Sequence, residues 1–227
     1  MPEFTEAVLQ MERETLCELQ AVVRKLDRAV EATIGPDDRS IAEAHGDEGF
    51  ADRRHKHLQE RLLAALASDP TPSDLMMLTS LLHVVGCVRR IDRECTSIAS
   101  VAPTGRPAAA ETSALPELVK SAAALSLSAV WLARAAFASR DLELAHEVVR
   151  LDAELRRRGD VIFRRALELT GAGEPAWAMS MLLVGSHAER VSDAAVDIAE
   201  QTVALVNGLY REVGYPEALP RESAATV

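Results

Sequence analysis

The 227 residues carry 35 acidic against 25 basic side chains, a net charge of −10. With no basic patch to offset it, that excludes a nucleic-acid partner, because duplex binding rests on phosphate neutralisation by Lys and Arg. Only 4% of residues are aromatic and 48% are hydrophobic, with Ala, Leu, Arg and Glu frequent, so the chain reads as all-helical and long enough for one large domain or two small ones.

Helix one is expected from about Thr5 to Thr33, on an apolar stripe of Leu9, Leu16, Leu19, Val22, Val23, Leu26 and Val30. Gly35-Pro36 ends it, since Gly suits the position after a helix and Pro cannot continue one. Helix two starts near Ser40, where Ser40 and Glu43 make a capping-box pattern, and runs to about Ala67. Thr71-Pro72-Ser73-Asp74 is the clearest start signal: Thr as N-cap, Pro at the first helical position and Asp at the third. Helix three follows, to about Ser100. Residues 101–114 are Pro/Ala/Thr-rich without helical periodicity and read as a linker. Helix four runs from near Pro116 to Ser139 and helix five from Leu142 to Leu169, stopped by Thr170-Gly171-Ala172-Gly173. Helix six runs from Pro175 to about Tyr210, and a Pro-broken tail from Gly214 reads as frayed.

Three cysteines, Cys17, Cys87 and Cys95, form an odd set with no CxxC, each beside apolar residues. They read as free buried thiols of a reducing cytosol, without a disulfide framework or zinc site. Met1-Pro2-Glu3-Phe4-Thr5-Glu6 lacks the basic and apolar regions of a signal peptide. The longest charge-free apolar run, residues 121–133, is shorter than the about 20 residues of a membrane span. A cytoplasmic chain without direct membrane insertion is expected.

Three long helices, a linker and three long helices suggest a duplication, and the residues agree. At an offset of 100, Val84, Val88, Ile91, Cys95 and Ile98 match Val184, Ala188, Val191, Ala195 and Ile198, and Arg90 matches Arg190. At an offset of 105, Asp47 matches Asp152 and Pro70 matches Pro175. The reading is a first three-helix repeat over 1–100, the linker, a second repeat over 115–212 and a tail over 213–227. The two bundles either pack together or share one six-helix bundle.

Helix six has two opposite faces at about 100° per residue. Val184, Ala188, Val191, Ala195, Ile198, Thr202 and Leu205 line one; Glu189, Asp193, Asp197 and Glu200 line the other. Like charges at this spacing repel by a few tenths of a kcal/mol per neighbouring pair, so either solvent or a cation must screen them. The counterparts on helix three are Arg89, Arg93, Ser97 and Ser100. One half presents carboxylates where the other presents guanidiniums.

Ala188-Glu189-Arg190-Val191-Ser192-Asp193-Ala194, followed by Asp197-Ile198-Ala199-Glu200, resembles the closing helix motif of the PhoU family. Asp47, Pro70 and Asp74-Leu75 resemble the first-repeat pattern, Asp141, Ala145 and Asp152 the second, and Val206-Asn207-Gly208 the family's closing Val-Thr-Gly. The resemblance implies an all-α, PhoU-like tandem repeat of two three-helix bundles. It also implies a cytoplasmic, non-enzymatic regulator of phosphate uptake and phosphate-starvation signalling. Its partners would be the ATPase of the phosphate ABC transporter, a membrane sensor histidine kinase, and a second copy in a homodimer. Some members hold iron or zinc clusters between paired E/DxxxD motifs of adjacent helices. Carried onto this chain, the implied ligands are Glu189, Asp193 and Asp152 of the second repeat, for iron or zinc. In the fourth place stands Arg156, which could pair with Glu189 or Asp193 and leave the set free of metal. In the first repeat the motifs read Arg89xxxArg93 and Asp47xxxAla51, and no cluster is expected there. Asp197, Glu200, Arg89, Arg93 and Arg156 make up a candidate partner or ion face, with a merely solvated face as the plain alternative. The other readings are a carboxylate-bridged metal bundle and a degenerate scaffold with a different partner. His55 and His57 read as surface residues, His83 and His187 as partly buried, and Trp131 and Trp177 as core or dimer contacts.

Overall fold

The computed structural model describes residues 2–34, 48–101, 113–171 and 174–207. They form six helices: α1 (Pro2–Ile34), α2 (Glu48–Leu66), α3 (Pro72–Ser100), α4 (Leu115–Ser139), α5 (Leu142–Gly171) and α6 (Pro175–Asn207). No strand occurs among the described residues. The Ser40–Glu43 capping box, Asp47, residues 102–112 of the linker and the tail lie outside the described residues.

Local chemistry sets the helix ends. Thr71 is extended (φ −63°, ψ 159°), and its hydroxyl accepts from the Asp74 backbone N–H at 3.2 Å, ahead of Pro72. Arg140 closes α4 in the left-handed region (φ 58°) and donates to the Phe137 carbonyl. Asp141 then caps α5, its Oδ1 accepting from the N–H groups of Glu143 and Leu144 at 2.8 and 3.1 Å.

α4, α5 and α6 pack against one another on all three sides. In the first half α1 lies along α3, and α2 rests mainly on α3. Ion pairs Arg54–Glu18 and Arg61–Glu14 tie α2 back to α1. The halves meet along α3/α6 and α1/α4, so one continuous apolar cluster takes residues from all six helices. The two bundles are therefore packed together over a shared core. α4 is long and apolar enough by length and composition to cross a membrane. Here its buried face, including Val119, Val130, Ala133 and Phe137, packs against α1, α5 and α6.

Several sequence expectations change. On α1 Leu19, Val22, Val23 and Leu26 are buried as expected, but towards the N-terminus the buried positions are Val8 and Met11, and Leu9 is exposed. Cys17 is exposed, whereas Cys87 and Cys95 are buried. His55 is buried against Glu18, with Nε2 3.3 Å from Oε2, and His83 is exposed. Trp177 joins the core, but Trp131 is half exposed on α4.

Candidate functional site

The apolar seam of α6 is buried as expected: Val184, Ala188, Val191, Ala195, Ile198 and Thr202 are inaccessible. The opposite stripe is not one solvated face. Glu189, Asp193, Asp197 and Glu200 are all half-buried, and the stripe divides between two neighbouring helices.

Its N-terminal part faces α5. Asp152 and Arg156 lie one turn apart there, and Arg156 reaches both helices. Its Nε donates to Asp152 Oδ2 at 2.8 Å and its Nη2 donates to Asp193 Oδ1 at 2.5 Å. Asp152 is nearly inaccessible, so this guanidinium neutralises a buried carboxylate. The surrounding carboxylates in turn hold Arg156 above its ordinary value, the bond to Asp152 contributing most.

Glu189 has a different setting. A Cβ placed on Gly159 would lie 1.7 Å from Glu189 Oε1, so the carboxylate occupies space that α5 leaves open only because residue 159 is glycine. Burial pushes the Glu189 carboxyl up; Arg156 opposes this, and Asp193, Asp160 and Asp152 add to it. Asp193 is pushed up as well, despite its bond to Arg156: burial leads, and Asp152 and Asp197 reinforce it. One cation thus serves more carboxylates than it can satisfy.

The C-terminal part of the stripe faces α3 in the other half. Asp197 Oδ2 accepts from Arg90 Nη2. The Asp197 bond helps hold Arg90 above its ordinary value, although burial pulls the other way. The seam carries a reciprocal contact, since His187 Nδ1 lies 2.6 Å from Glu94 and Arg190 approaches the same carboxylate at 4.0 Å. Arg90 and Arg190, equivalent by the repeat, therefore cross the seam in opposite directions.

The remaining expected face residues separate. Arg89 pairs with Asp52 of α2 at 2.8 Å, with both side chains about half exposed. Arg93 is exposed and makes no ion pair with a described residue. One grouping escaped the sequence reading: His83 and Cys87, one turn apart on α3, meet Asp197 of α6, with one donor atom from each lying within 4.8 Å of the others. The His-x-x-x-Cys spacing was visible, but the third member becomes a neighbour only when the halves pack. Cys87 is pushed up to about 12 by burial, opposed by Arg90 and reinforced by Asp197 and Glu200.

Fold and site together define a duplicated helical-bundle protein whose outer faces are organised by charge pairing. The PhoU domain model matches residues 119–202, which cover most of α4 through α6. The structure is similar to PhoU from Pseudomonas aeruginosa, at a TM-score of 0.81 and 22% identity over 90% of this chain and 99% of that one. It is equally similar to the phosphate transport system regulatory protein PhoU from Streptococcus pneumoniae, at 0.81 and 18% identity over 92% and 100%. At this identity the likeness establishes the fold. An uncharacterized protein of Deinococcus radiodurans is 36% identical over 101 residues, spanning 43% of this chain and 44% of that relative.

Proposed function

We propose that this protein is a non-enzymatic regulator of phosphate uptake and phosphate-starvation signalling that acts through protein contacts. The carrying observation is the PhoU-domain match over 119–202, set in a fold that follows PhoU structures along nine-tenths of the chain. The partners in this reading are the phosphate transporter ATPase or a membrane sensor kinase, with the protein itself a homodimer in the cytoplasm. Cross-linked capture of the tagged chain from its own host, grown in high and low phosphate, tests it. Enrichment of either partner in at least one condition is expected; enrichment of neither in both conditions overturns the reading. Light scattering at twice the chain mass is expected for the dimer.

The charge pattern favours a specific form of this regulator. Glu189, Asp193 and Asp152 are the ligands a metal cluster would use, but Arg156 sits among them and bonds two of the three. A guanidinium in that position repels a cation and takes the oxygen atoms a cation needs, so these residues do not fit an iron or zinc cluster. In this reading the second half keeps the carboxylates of the family pattern and neutralises them with a side chain. Manganese titration distinguishes the cases: no binding at the α5/α6 face is expected in the natural protein, and gain of binding in Arg156→Asp.

A further inference from the structure

The geometry points to a zinc-class divalent-cation site at the α3/α6 seam, formed by Cys87, His83 and Asp197 and tying the two halves together. The proposal does not rest on the phosphate reading, and its residues are distinct from the α5/α6 carboxylates.

The donor set carries the first part of the argument. A thiol, an imidazole and a carboxylate are the three protein ligands that suit zinc, whereas a thiolate disfavours magnesium, calcium and manganese. His83 and Cys87 are spaced i, i+4 on one helix, so both side chains point to the same side. Asp197 enters from the facing helix, and the three donor atoms lie within 4.8 Å of one another. Tetrahedral zinc with its usual bond lengths holds its donors roughly 3.5 Å apart. A small closing movement therefore suffices, and His83 can supply it: it is exposed and bonds to no described residue.

Surrounding groups fit the same purpose. Arg90 holds Oδ2 of Asp197, which orients the carboxylate and leaves Oδ1 as the donor. The Glu200 carboxylate lies one helical turn beyond Asp197, and its charge is felt at Cys87. With Cys87 as thiolate, Cys87 and Asp197 present two negative charges to a dication, with Arg90 beside them on Asp197. On binding, the Cys87 thiol gives its proton to solvent as the sulfur–metal bond forms. Three protein ligands with an exposed histidine leave the fourth position to water.

Cobalt(II) titration of the full-length chain, stripped of metal and freed of any affinity tag, tests the site. One equivalent should bind and produce a near-ultraviolet thiolate-to-cobalt band, and zinc should abolish the band and raise the melting temperature. Cys87→Ser should remove the band, and His83→Ala, at an exposed position, should weaken binding at least about tenfold with unchanged far-ultraviolet circular dichroism. Glu189→Gln/Asp193→Asn should leave the band intact, which separates this site from the α5/α6 face. Absence of the band in the natural chain, or its persistence in Cys87→Ser, overturns the proposal.

Discussion

The two halves settle the same helix-to-helix contact with opposite charges. In the first, an arginine of α3 meets an aspartate of α2, Arg89 with Asp52, in water. In the second, the acids sit on α6 and the arginine comes from α5, with Asp152 buried beneath it. What the repeat preserves is charge compensation at that face, not the sign carried by either helix. The difference lies in depth. An exposed pair gains little over its hydrated parts, whereas a buried carboxylate depends on its partner. The second-half face should therefore matter to stability and the first-half face should not.

The comparison breaks most visibly at Arg156. Arg156→Ala removes the cation that Asp152, Asp193 and Glu189 share and should cost about 1–3 kcal/mol in urea unfolding, short of a fully buried pair because Arg156 itself is more than half exposed. Next comes Gly159→Ala. Helix propensity favours alanine by about 1 kcal/mol in mid-helix, and the atom displaced is the mobile end of Glu189. A net gain of up to about 1 kcal/mol is expected, with Glu189 turned towards solvent and its carboxyl, followed by NMR titration, falling back towards its ordinary value.

Glu189→Gln sharpens the same point through pH. The folded-state pKa of Glu189 is raised above the unfolded value, so in the window between them the folded protein binds more protons. Stability falls as pH rises through that window and stays lowered above it. The glutamine variant should thus melt higher than the natural chain at pH 7, by less than about 1 kcal/mol, and the advantage should vanish below the ordinary carboxylate range. The smallest effect belongs to the first half: Arg89→Ala should change stability by no more than about 0.5 kcal/mol.

Much of this was legible in the chain. Periodicity and end signals placed the helices, and the Thr71–Asp74 cap formed as its spacing required. The repeat also exposed the exchange of Glu189 and Asp193 for Arg89 and Arg93. Arg156 stands in the sequence as the odd residue among the expected ligands, and of the two pairings open to it, with Glu189 or Asp193, the one with Asp193 forms. What stayed hidden depends on contacts between distant segments. Asp197 belongs by pattern with Glu189 and Asp193, yet turns to Arg90 of the other half, because helix periodicity gives a face but not which neighbour occupies it. His55 and His83 were misplaced for the same reason: a single polar residue carries no periodic signal, and the neighbouring helix decides its burial. Gly159 gave no sign of its role, since its missing side chain matters only to Glu189 on the next helix.

The central claim is that Arg156 is the cation of the second-half face. A double-mutant cycle on Arg156→Ala and Asp193→Ala, read by urea unfolding in the presence of a chelator, tests it most directly. A coupling of at least about 1 kcal/mol is predicted, against less than about 0.5 kcal/mol for the equivalent cycle on Arg89 and Asp52. Additive losses at Arg156 and Asp193 would contradict the account.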